Sequence, residues 1–182
     1  RFRVTVSVSN FVPKPHTPFQ WSAQDTPEEF IKKHNYLSER LHIKGVTFNY
    51  HETATSNLEA VFASGDRRCG RILEEAWKRG CKFDAWTEHF RPDLWRDAMD
   101  AVASEYGLKD GKELEAYYNY RERPIDENLP WDRINSFIDK KYLIDEKKRA
   151  EAAETTPDCR LKCNNCGINR HTECFVNCDF NI

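Results

Sequence analysis

Hydrophobic and polar positions along the first ten residues, RFRVTVSVSN, alternate strictly. Phe2, Val4, Val6 and Val8 fall on one side and Arg3, Thr5, Ser7 and Ser9 on the other, a period of two that predicts a strand. The small hydroxyl face of that strand suits a crowded interior or a polar pocket better than open water. The next stretch, FVPKPHTPFQW, has three prolines within six residues and reads as a stiff loop, because proline lacks the N–H that helices and central strands need. Thr26-Pro27-Glu28-Glu29 is a helix start, with a capping hydroxyl, Pro at the first helical position and Glu three residues after the cap. Phe30, Ile31, His34, Leu37 and Leu41 share one face of that helix. Val46, Phe48 and Tyr50 then alternate with Thr47, Asn49 and His51, predicting a second strand. Strand, helix and strand in this order make a β-loop-α-β unit with a parallel sheet.

The period then lengthens. Leu58, Val61 and Phe62 mark a short helix ended by Gly65. Asp66 can cap another, with Ile72, Leu73, Ala76 and Trp77 on its buried face and Gly80 at its end. Pro92 opens a third, carrying Leu94, Trp95, Ala98, Met99 and Val102. RERPIDENLPWDRINSF is an irregular connector, and Asp139 can cap a last, highly charged helix to about residue 153. Trp77, Trp86, Trp95 and Trp131 are expected in core and inter-helix packing. Cys69 and Cys81 read as helix-packing residues. The arginines of Gly65-Asp66-Arg67-Arg68 can pair with carboxylates such as Glu59.

Composition narrows the classes. The 182 residues suffice for a domain with a substantial core. A net charge of −2 with 32% charged residues offers no strong field for nucleic acid or membrane. No apolar run is long enough to span a bilayer, and no signal peptide is visible. A chain that opens at Arg1 inside a strand pattern, with Met99 its one methionine, is expected to be cut from a longer cytoplasmic protein. With no sign of secretion, its cysteines are expected to be reduced.

Five of the seven cysteines fall in DCRLKCNNCGINRHTECFVNC, from Asp158 to Cys178. The spacing is C-x3-C-x2-C for Cys159, Cys163 and Cys166, then seven residues to Cys174 and three more to Cys178. Thiolates clustered so tightly converge on Zn²⁺ or an iron–sulfur cluster, because short turns bring several to one centre. The C-x3-C-x2-C spacing alone matches the cluster loop of radical enzymes, but that loop belongs after a first barrel strand. Here the spacing follows a charged helix.

Several stretches resemble one family: SVSNFVPKPHTPFQW, LEAVFASGDRR, EEAWKRGCKFDAWTEHF, DENLPWDRI and TTPDCRLKCNNCG. Together, over nearly the whole chain, they are similar to the C-terminal part of a bacterial radical S-adenosylmethionine protein family with an N-terminal cobalamin-binding-type domain. The resemblance implies an α/β fold, with the last β/α units of a partial (β/α) barrel over residues 1–55. A helical extension over 56–154 and a cysteine-rich metal-binding tail over 155–182 would follow. The catalytic [4Fe–4S] loop would lie before Arg1, so this segment would not be catalytic alone. S-adenosylmethionine and cobalamin would belong to the full-length protein, with the remainder of the parent chain as partner and an unknown substrate. In the family's tail a cysteine usually stands where this chain has Asn169, so the fourth ligand beside Cys159, Cys163 and Cys166 is assigned to Cys174, with His171, Cys178 or no fourth ligand as alternatives.

Loops after strands build the active-site mouth of β/α barrels. Asn10, at the strand's end, and Lys14, His16 and Thr17, in the proline-braced loop, are therefore the candidates for contacting S-adenosylmethionine or substrate. A purely structural loop is the plain alternative. His51 and Glu52, ending the second strand, are weaker candidates of the same kind. A second functional class also fits: a non-catalytic module whose zinc-stabilised tail docks a protein or RNA partner. The neutral charge argues against RNA.

Overall fold

The computed structural model describes residues 2–172. The chain divides into two compact units: Lys14–Trp21 belongs with the segment from Arg123 onward, and the remainder forms the other unit. The fold is mixed α/β, with six helices and a two-stranded parallel sheet among the described residues. None of these helices is long and apolar enough to cross a membrane.

In the larger unit, β1 (Val4–Val8) pairs with β2 (Val46–Tyr50) in parallel, in the register Val4↔Val46 to Val8↔Tyr50. The crossover is α1 (Pro27–Arg40). Thr26 accepts the Glu29 N–H at 3.4 Å, and Pro27 follows the cap, as the local chemistry predicts. Val6, Val8, Val46 and Phe48 are half-buried on one sheet face. On the other, Thr5, Ser7, Thr47 and Asn49 stand exposed among the described residues.

The core sits in four helices, α2 (Thr53–Ser64), α3 (Arg68–Lys78), α4 (Pro92–Glu105) and α5 (Gly111–Asn119). Val61, Ile72, Ala76, Trp95, Met99, Val102, Leu114 and Tyr118 pack there. The expected helices at 58, 72 and 94 are present, and Gly80, at φ +100°, turns the chain out of α3. The fourth was not anticipated, although Asp110 caps it by accepting the Glu113 N–H at 2.9 Å. It begins on Gly111 because α4 passes too close for a side chain. A Cβ there would meet the Met99 Cβ at 2.7 Å and the Asp100 carboxylate at 2.9 Å.

Several burial expectations fail. Trp95 and Trp131 are buried, but Trp77 and Trp86 are each 62% exposed, and Ile31 and Leu73 are exposed as well. α3 is strongly amphipathic, but its apolar stripe is wider than the contact that α4 makes, which covers Ile72 and Ala76 and leaves the stripe's edge open. Asp66 receives the Arg68 N–H at 2.9 Å, and the arginine found paired with a carboxylate here is Arg68, whose guanidinium meets Asp66 at 2.7 Å, two residues away.

The smaller unit holds α6 (Lys140–Glu151) and a single 3₁₀ turn at Ile168–Arg170. Trp21, Leu129, Trp131 and Leu143 form its core. The Trp131 Nε1 donates to the Gln20 side-chain oxygen at 2.7 Å, and the same oxygen accepts the His16 N–H at 3.0 Å. Asp139 precedes α6 without a side-chain cap bond, because its carboxylate turns to an ion pair with Arg170.

Candidate functional site

The carboxyl ends of β1 and β2 carry the best-organised polar cluster. Asn10, two residues past β1, sits at its centre. Its Nδ2 donates to the Ser56 hydroxyl at 2.9 Å and to the His51 carbonyl at 3.2 Å. Both amide protons face acceptors, so Oδ1 is the acceptor toward His34 Nε2 at 2.8 Å. That fixes the proton of neutral His34 on Nε2 and leaves the lone pair on Nδ1. The imidazole is 5% exposed and stacks on Tyr50, with ring centroids 4.1 Å apart. Burial pulls its pKa below the ordinary histidine range, against the opposing charge of Glu52. Gln24, also buried, reaches in from the other side and donates to the carbonyls of Phe11 and Ser56 at 3.1 and 3.2 Å.

Such a cluster can hold a neutral imidazole in one tautomer beside an aromatic ring, at the end of a parallel sheet where β/α folds place ligands. Asn10 is the organiser of this group. His34 and Gln24 were missed in the sequence, where His34 reads as one more residue of a helical face. The signal that could have found it is its place about two turns into the crossover helix that follows the strand.

Lys14, His16 and Thr17 lie in the smaller unit, as a turn. The Thr17 hydroxyl donates to the Lys14 carbonyl at 2.8 Å. His16 has φ +56°, and its Nε2 is buried without a hydrogen-bond partner among the described residues. Asn10 thus contacts His34, His51 and Ser56, and the turn that carries His16 and Thr17 is closed by Gln20.

In the tail, Cys159 and Cys166 are free thiols, and Cys163 is disulfide-bonded. A wholly reduced cluster was expected. The Asn165 N–H donates to Cys163 Sγ at 3.4 Å, and Asn165 and Gly167 both take positive φ, at +55° and +94°. No three His, Cys, Asp or Glu side chains among the described residues are arranged to hold a metal. Cys174 and Cys178 lie outside the described residues.

Comparison of the chain with family models, curated proteins and solved structures found no match.

Proposed function

We propose that this chain is the C-terminal segment of a radical S-adenosylmethionine protein, contributing barrel wall and an auxiliary metal site, and inactive alone. The observation that carries this reading is the parallel β1-α1-β2 unit with its polar face open. Two parallel strands are not a stable sheet by themselves, because parallel sheets are covered on both faces and extended by neighbours. The exposed row of Thr5, Ser7, Thr47 and Asn49 suits the lining of a polar barrel interior, with Asn10 at its mouth. Family-like motifs over nearly the whole chain support the same assignment.

The auxiliary centre is a proposal for the reduced tail. The turn from Cys163 to Gly167, with its N–H···S contact and two left-handed residues, is the sort of backbone that lets neighbouring thiolates face one centre. Cys159, Cys163, Cys166 and Cys174 would be the ligands. The experiment is anaerobic reconstitution of the reduced chain. Expected are bound metal, its loss in Cys174→Ser and its retention in Cys178→Ser, with no 5′-deoxyadenosine formed from S-adenosylmethionine. Formation of that product by this chain would overturn the assignment. Iron with sulfide and visible absorption supports the enzyme reading, and colourless zinc the docking module.

A further inference from the structure

Between the second half of α3 and the loop leading to α4 lies a groove of about 690 Å³, separate from the strand-end cluster. Trp95 is buried at its floor, and Trp77 and Phe83 line it with rings that are largely in solvent. Glu74 and Asp84 border it against a single lysine, Lys82. Glu74 is already neutralised by Arg71 and Lys78. Asp84 has no ion pair among the described residues; it is fixed instead by the Trp95 Nε1–H, which donates to its Oδ1 at 3.0 Å.

Phe83 supplies a second, independent observation. Its φ is +59°, a left-handed conformation rare for a residue with a bulky ring, and the ring is 72% exposed. Core packing does not return the cost of that conformation. Backbone outliers of this sort gather where a side chain is held out for a ligand.

We infer that this groove binds an organic cation with an apolar body, of the quaternary or arylalkyl ammonium class. Its methyl groups would lie on the faces of Trp77 and Phe83, where the ring quadrupoles attract positive charge, and its charge would sit near Asp84. A neutral apolar ligand would leave that carboxylate facing it unpaired, and an anion would be repelled.

The test is calorimetric titration of the full chain with benzyltrimethylammonium, and with choline against its uncharged carbon isostere 3,3-dimethylbutan-1-ol. Saturable binding of the cations is expected, with the isostere much weaker. Asp84→Asn should weaken binding about fivefold, and Trp77→Ala or Phe83→Gly about tenfold. Phe83→Gly should melt no lower than the wild type, because glycine takes this φ without strain. That separates a binding role from a structural one. Equal binding of choline and its isostere, unchanged affinity in both aromatic variants, or no saturable binding of either cation would overturn the inference.

Discussion

Replacing Asp66 by asparagine removes one charge from the junction of α2, α3 and α5, and the cost can be worked from the contacts. Asp66 Oδ1 accepts the Tyr118 hydroxyl at 2.8 Å and the Arg68 N–H at 2.9 Å, and Oδ2 takes the Arg68 Nη2 at 2.7 Å. The Arg68 guanidinium also lies 5.2–5.7 Å from the rings of Tyr118, Tyr117 and Tyr106. Burial alone would raise the Asp66 pKa, but these donors together hold it down to about 2 from an ordinary 3.8. That difference is worth about 2 kcal/mol at neutral pH, after allowance for solvent screening of a carboxylate a third exposed. Because the folded pKa lies below the unfolded one, this stability is complete above about pH 4 and is lost as the pH falls toward 2. Asp66→Asn should therefore lose about 2 kcal/mol at pH 7 and much less near pH 2. Urea unfolding followed by circular dichroism across that range measures it, with hydrogen exchange in α3 and α5 locating the loss. A deficit below about 0.5 kcal/mol at pH 7, or one that stays constant to pH 2, would refute the linkage argument.

Three further outcomes are expected. The depressed pKa of His34 means that the unfolded chain binds a proton first, so wild-type stability should fall as the pH drops below about 6.5, and His34→Gln should flatten that limb in pH-dependent melting. Trp131→Phe strands part of the buried Gln20 oxygen's bonding and should cost about 1–2 kcal/mol, seen as faster exchange of α6 amides. A fragment of residues 1–52 keeps both strands and α1 but lacks α2 to α5. It should self-associate in sedimentation, and a monodisperse fragment with a cooperative melt would contradict this.

Much of the fold is written locally. The alternating strands, the Thr26 cap with Pro27, the Pro92 start and the Gly80 stop each depend on a few adjacent residues, and the structure holds each of them. The exceptions arise where a neighbour decides. Gly111 looks like a poor helix opener until the approach of α4 explains it. Leu73 and Trp77 match the apolar period of α3, but only the coverage by α4 determines which part of the stripe is buried. Asn10 could be placed at a strand end from the alternation alone. His34 could not be joined to it, because that bond links positions 24 residues apart, across the loop and into the crossover helix. Asp139 looked like a cap, and its carboxylate was taken instead by an arginine 31 residues away.

The Gln20 carboxamide, shared by His16 and Trp131, has a temporal consequence. Its two partners belong to stretches separated in the chain, with Trp131 111 positions after Gln20. Closing a loop of that length costs on the order of 4 kcal/mol of chain entropy before any contact repays it. During synthesis at typical elongation rates, Trp21 would emerge on the order of ten seconds before Trp131 and Leu143. Until then it is a large apolar side chain with no core to enter, while the helices of the larger unit complete themselves from neighbouring sequence. The smaller unit is thus the late-maturing one, and its first eight residues are the segment that a ribosome-associated chaperone would find exposed.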